Sequence, residues 1–222
     1  KSNNYLKLSS WLLGCMDEKI EDFKKSNKLE YYAKGKRSFV YRLKYKNKEA
    51  VLKEESANST AICRIQNEAN WLRALNKEGI GPKLYFEGEG FIVMEFVKGT
   101  RIIEWAKTSE KEDLRKVLLD VMKQCRKMDI MRVSKEEMHN PWKHIIIDKA
   151  PIMIDFERCH VDITPKNVTQ FCQFLMSEKF YRILEAKGIE FEKGKIIAWL
   201  KSYKSGKDVF NEILKAVSLK SC

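Results

Sequence analysis

Asp155 closes an apolar run, Pro151-Ile152-Met153-Ile154, and is followed by Phe156, Glu157 and Arg158. An apolar strand ending in Asp lets a fold deliver a carboxylate to a metal at the mouth of a cleft. All three histidines of the chain, His139, His144 and His160, fall close to it, together with Cys159. Imidazole beside a carboxylate is a donor set that suits Mn or Zn better than Mg. Upstream, an isolated lysine, Lys53, ends the run Ala50-Val51-Leu52, and an acid, Glu68, stands in the helical pattern that follows. An Asp-Phe pair alone is common, and one histidine alone is usually a loop residue. What decides is whether the intervening elements present these groups in a consistent order.

Residues 5–25 carry Leu12, Met16, Ile20 and Phe23 at helical spacing, which predicts an amphipathic helix ending near Lys25-Ser26-Asn27. Between 29 and 54, short β-like runs rich in Tyr, Phe and Val predict two or three antiparallel strands, with a turn at Lys46-Asn47-Lys48. A helix follows over 60–76, with Ile62, Ile65, Ala69, Leu72 and Leu75 on one face. It breaks at Gly79-Ile80-Gly81-Pro82. Two strands, Lys83–Phe86 and Phe91–Phe96, are joined at Gly88-Glu89-Gly90.

From Thr100 the pattern is mainly helical. Ser109 with Glu112 reads as a capping box opening a helix of about five turns. Its buried stripe is Leu114, Val117, Leu118, Val121, Met122 and Cys125. A strand pair, Ile145–Ile147 and Ile152–Ile154, interrupts the helices, and three helical patterns at 165–187, 194–203 and 208–219 close the chain.

Strand, turn, strand, strand with Lys, helix, strand, strand and then a helical half resembles the order of a protein kinase. Tyr32-Ala33-Lys34-Gly35-Lys36-Arg37-Ser38-Phe39-Val40 resembles the glycine-rich loop G-x-G-x-x-G-x-V, with Ala33 and Ser38 in place of the outer glycines. Met94-Glu95-Phe96-Val97-Lys98-Gly99, preceded by the Gly79–Tyr85 loop, resembles the hinge of RIO kinases, the KEOPS-associated small kinase and lipopolysaccharide-type sugar kinases. The chain is similar in particular to the archaeal predicted serine/threonine protein kinases related to them, over about residues 28–175.

The resemblance implies an α+β, two-lobed minimal protein-kinase-like fold: an N-lobe antiparallel sheet plus helix, and a helical C-lobe. Residues 1–27 would form an N-terminal helical extension, 28–98 the N-lobe and 99–222 the C-lobe. It also implies ATP and Mg as cofactors, with Mn as the alternative metal. Gly35, Ser38 and Val40 would lie over the phosphates. Lys53 would bind the α/β-phosphates and pair with Glu68, and the hinge backbone at Glu95 and Val97 would read the adenine edge. Read as a lysine of an exposed cleft, Lys53 should contribute little to packing.

The departure lies in the catalytic loop. Kinases carry H-x-D-x-x-x-x-N, whose Asp positions the acceptor hydroxyl and whose Asn binds metal. Here the chain reads from Val133 through Lys135-Glu136-Glu137-Met138-His139 to His144-Ile145. The apolar run after His144 places His144 at the Asn position, so that His144 and Asp155 would be the metal pair. Counting back without gaps puts His139 at the catalytic Asp. A loop two residues longer puts Glu137-Met138 there instead. Glu137 is preferred, because a carboxylate keeps the chemistry of the Asp. After Asp155-Phe156 no kinase Gly and no A-P-E element follow, and Cys159–Lys166 leaves no room for a long activation loop.

The 222 residues, 44% of them hydrophobic, suffice for one domain or two small lobes. A net charge of +12 fits either simple solubility or a polyanionic partner such as nucleotide, RNA or the ribosome. Cysteines at 15, 63, 125, 159, 172 and 222 show no CxxC spacing and suit a reducing cytoplasm. No apolar run reaches the roughly 18 residues of a membrane span, so no membrane partner is expected. Trp142, Tyr85 and Trp199 read as packing residues. Three functions remain open: transfer of the ATP γ-phosphoryl group to serine or threonine of an unidentified protein, the same transfer to a sugar- or aminoglycoside-type small molecule, and nucleotide or RNA binding without transfer.

Overall fold

Alternating apolar residues and short polar turns fold residues 30–55 into a three-stranded meander. A computed structural model describes residues 19–35, 38–56 and 64–217. In it the strands are β1 (Glu30–Lys34), β2 (Ser38–Tyr45) and β3 (Lys48–Glu55). The sequence allowed two or three strands here, and the structure has three. Helix α2 (Arg64–Leu75) follows, then β4 (Leu84–Gly88) and β5 (Phe91–Glu95), completing an antiparallel sheet of order β1-β2-β3-β5-β4. Of the amphipathic N-terminal pattern, α1 (Ile20–Ser26) is described, whereas Leu12, Met16 and Ile62 lie outside the described residues.

The chain divides into two compact units. One comprises the described residues up to Asn76 together with Pro82–Phe96, and the other comprises Lys77–Gly81 with the residues from Val97 onward. In the first, the period of two along the strands separates two faces. Leu43, Ala50, Leu52, Phe91 and Val93 pack with Phe23 of α1, whose ring lies 5.0 Å from that of Phe91. Lys53, which pairs in register with Val40 and Ile92, belongs to the opposite set. There α2 buries Ile65, Glu68, Ala69, Leu72 and Leu75, and Gln66 and Arg73 of α2 both bond Glu87 of β4.

In the second unit β6 (Thr100–Arg101) leads into α3 (Ile102–Thr108) and the long α4 (Lys111–Ile130). The six expected stripe residues of α4 are all buried, with Met128 added. The expected capping box is corrected. Glu110, not Ser109, is the residue before α4 and makes no side-chain cap bond, while the Ser109 hydroxyl donates to the Ala106 carbonyl at the end of α3. A local motif predicted a helix start where a preceding helix instead claims the hydroxyl. β7 (Val133–Ser134) comes next, then β8 (Ile145–Ile147) and β9 (Pro151–Met153), which form the predicted hairpin. β10 (His160–Val161) pairs back onto β7.

The pattern at 165–187 is two helices rather than one, α5 (Asn167–Leu175) and α6 (Glu178–Ala186). The amides of Met176 and Ser177 close onto Cys172 and Phe174, and the Ser177 hydroxyl bonds the Phe174 carbonyl, ending α5. The chain then forms α7 (Lys193–Lys204) and α8 (Phe210–Ala216). Cys125, Cys159 and Cys172 are buried, and no described helix is long and apolar enough to cross a membrane.

One glycine is sterically required. Gly99 has φ +136°, and a Cβ there would stand 2.2 Å from the carbonyl oxygen of Ile147 in β8. Gly99→Ala is therefore expected to lower stability by about 1–3 kcal/mol from backbone strain alone, with the clash added. A urea midpoint equal to that of wild type would contradict this.

Candidate functional site

Each unit carries one assembly of charged groups. In the first, the Lys53 ammonium stands 2.7 Å from Oε2 of Glu68, with the two side chains 9% and 1% exposed. The predicted pair is present, but the expectation of an exposed lysine is overturned: Lys53 is buried and faces a buried carboxylate of α2. Val40 and Ile92 flank Lys53 in register, and the Glu68 carboxylate facing its ammonium stabilises the buried charge.

The Gly35 amide donates to the Ser38 carbonyl at 2.8 Å, and a Cβ at Gly35 would come within 3.1 Å of the Ser38 hydroxyl. Ser38 itself is buried and pairs in register with Glu55, and Val40 lies beside Lys53. Lys36 and Arg37 lie outside the described residues. Glu95 ends β5, with its amide on the Lys83 carbonyl and its carboxylate accepting from the Lys83 amide, and Val97 begins the second unit.

In the second unit the β8–β9 hairpin is extended by a bond from the Ile154 amide to the His144 carbonyl at 2.9 Å. That bond brings His144 and Asp155 together although eleven positions separate them. His144 Nε2 lies 3.0 Å from Oε2 of Glu137, and Nδ1 lies 3.7 Å from Oδ2 of Asp155. The other oxygen of Glu137 accepts from Arg158 at 2.6 Å. Burial, and next the Lys135 ammonium, hold the His144 imidazole below its ordinary range against the opposite pull of Asp155 and Glu137. A neutral ring has one N–H and one lone pair. With Nε2–H donated to Glu137, the Nδ1 lone pair faces the Asp155 carboxylate, acceptor against acceptor.

A divalent ion would accept both donor atoms. Ligand atoms each about 2.0–2.2 Å from one ion stand at most roughly 4 Å apart, a limit that the observed separation respects. The pair would offer an N,O donor set of the kind that suits Mn or Zn better than Mg. His139 and His160 do not join them. His139 is exposed in the turn after Met138, and His160 is exposed on β10 with Nδ1 3.4 Å from the Arg158 carbonyl. The expectation of three clustered histidines is thus reduced to one. Met138 beside Glu137 is fully buried, which anchors the loop.

Two features had no sequence signal of sufficient strength. Glu137 and Asp155 both adopt left-handed backbone, φ +71° and +64°, a conformation that costs a non-glycine residue roughly 1–2 kcal/mol. Both candidate acids are held there by their surroundings. Lys135 and Asn167 were also missed. Lys135 is 2% exposed and donates its ammonium to the carbonyls of Ile154, at 2.9 Å, and of Asp155.

Asn167 is 1% exposed. It accepts from the Lys135 amide and donates to the Val133 carbonyl and to Asp129. Asp129 in turn accepts from the Val168 amide and the Tyr203 hydroxyl. Burial pushes the Asp129 carboxyl up, while these donors pull it down. The hub ties the end of α4, the start of α5 and α7 to the loop that carries Glu137. Lys135 directly before two acids was the one cue available in the sequence.

Trp199, expected to pack, is 37% exposed and lines an open groove with Tyr181, Phe191, Glu190, Glu192 and Glu212. Fold and site together define an α+β protein with a buried lysine–glutamate pair in one unit and a carboxylate–imidazole cluster in the other. No family model matches the chain. An uncharacterized protein of Methanocaldococcus jannaschii is 29% identical to it over 85 residues, 38% of this chain and 73% of that protein.

Proposed function

We propose that this protein is an atypical ATP-dependent phosphotransferase of the protein-kinase-like class, moving the γ-phosphoryl group to a serine or threonine hydroxyl of a protein. The observation that carries the proposal is the Glu137–His144–Asp155 cluster, built from two acids with left-handed backbone and one imidazole between them. Lys53, oriented by Glu68, would neutralise the non-transferred phosphates. Asp155 and His144 would hold the divalent ion, which when bound supplies charge neutralisation on the phosphoryl group. Glu137, gripped by Arg158 and His144, would accept the hydrogen bond of the acceptor hydroxyl and fix its direction. The remaining basic surface would serve an anionic partner such as RNA or the ribosome.

A specific observation favours a second reading. Both Glu137 oxygens are already engaged, by Arg158 and by His144, which suits nucleotide binding without transfer. The groove beside Trp199 offers a small-molecule acceptor a place in the same unit.

Incubation with γ-labelled ATP and either Mg or Mn, scoring autophosphorylation and hydrolysis, separates these readings. We expect Mn to support turnover better than Mg, with the preference weakened in His144→Asn. Label transferred to serine or threonine favours the first reading, and ATP bound in calorimetry but never turned over favours the second. No ATP binding with either metal removes both.

A further inference from the structure

We propose that Lys135 is a positioning residue that holds Asp155 in its strained conformation and so aims the metal-binding carboxylate. For its functional consequence this rests on the reading of Asp155 as a metal ligand. The structural half stands alone. An ammonium is almost never enclosed this fully without strong acceptors. Here its acceptors are the consecutive carbonyls of Ile154 and Asp155, and it lies 4.5 Å from the centre of the Phe156 ring. Three successive residues, 154 to 156, thus converge on one charge.

Two carbonyls that follow each other along an extended strand point to opposite sides, so a single donor cannot serve both. A turn into the left-handed region at Asp155 brings both oxygens to one donor, and φ +64° is the value found there. Asparagine and aspartate tolerate this region better than other non-glycine residues, but they do not choose it unaided. The lysine is itself fixed from behind, since its amide donates to Asn167 Oδ1 at 2.9 Å and Asn167 is held by Asp129. Rigid support therefore runs from Asp129 through Asn167 and Lys135 to the backbone of Asp155. A methionine of similar length would fill the space but offer no donor. An arginine would keep donors for both carbonyls.

The test uses the full chain with Lys135→Met and Lys135→Arg. Two quantities are read: the Asp155 backbone angle in crystal structures, and Mn2+ affinity by electron paramagnetic resonance. In Lys135→Met we expect φ of Asp155 to return to negative values and Mn2+ affinity to fall about 10–100-fold, the range for loss of a partner that orients a ligand. Lys135→Arg is expected to keep the angle and most of the affinity. Retention of φ near +64° in Lys135→Met overturns the proposal, whatever the affinity does. If the wild type takes up no Mn2+, the metal reading of Asp155 falls, while the backbone angle still decides the role of Lys135. Should Lys135→Met fail to fold, Lys135→Gln, which keeps one donor, carries the same two readouts.

Discussion

Lys53→Ala is expected to lower folding stability by about 3–5 kcal/mol, the usual effect of removing one partner of a buried ion pair. The carboxylate of Glu68 is 1% exposed and receives the Lys53 ammonium at 2.7 Å. Taking the ammonium away leaves a desolvated negative charge without that cation, and the helix can relax only by moving off the sheet. Were Lys53 the exposed lysine that the sequence suggested, the loss would stay below about 1 kcal/mol. Denaturant titration distinguishes these values easily.

The double variant Lys53→Met/Glu68→Leu removes both charges and keeps the volume. It is expected to recover wild-type stability or exceed it by about 1–4 kcal/mol. That variant also separates structure from function. A folded double variant that has lost ATP affinity would show the pair to be kept for phosphate binding, whereas unchanged ATP affinity would remove Lys53 from the proposed site.

Under the proposed function, Asp155→Ala should abolish phosphoryl transfer, by at least about a thousandfold, because the ion that would neutralise the transferred group loses its carboxylate ligand. Stability should fall modestly, because alanine tolerates positive φ less well than aspartate. Asp155→Asn is the more informative partner. It keeps shape and backbone preference, so transfer lost with the fold intact assigns the effect to the carboxylate charge.

Glu137→Gln is expected to slow transfer about 10²–10⁴-fold, and His139→Asn to leave it unchanged. Glu137 touches His144 and Arg158, whereas His139 is exposed in the adjacent turn. The reverse result would restore the gap-free alignment and give the acceptor-orienting role to His139.

Much of this protein is legible in the sequence wherever the signal is local. The period of two in residues 30–55 gave the meander, and the spacing of Ile65, Ala69, Leu72 and Leu75 gave the inner face of α2. The same face carries Glu68, and the resemblance to kinases added the expectation that it pairs with Lys53. The run before Asp155 likewise announced a hairpin that brings an acid toward His144. Side-chain periodicity is a property of neighbours in the chain, and the elements themselves needed nothing more.

What the tertiary structure alone decided involves partners far apart in sequence. Lys53 is buried against Glu68 of α2, a partner fifteen positions away in the chain. The boundary between α5 and α6, and the true start of α4, depended on which carbonyl a serine hydroxyl reached. The sign of φ at Glu137 and Asp155 cannot be read from residue type, because a non-glycine residue enters that region only when surrounding contacts outweigh the strain. For Asp155 those contacts come from Lys135, twenty positions earlier, and behind it from Asn167 and Asp129. A hydrogen-bonded hub of this kind has no period and no spacing, so only the folded chain brings its members to one place.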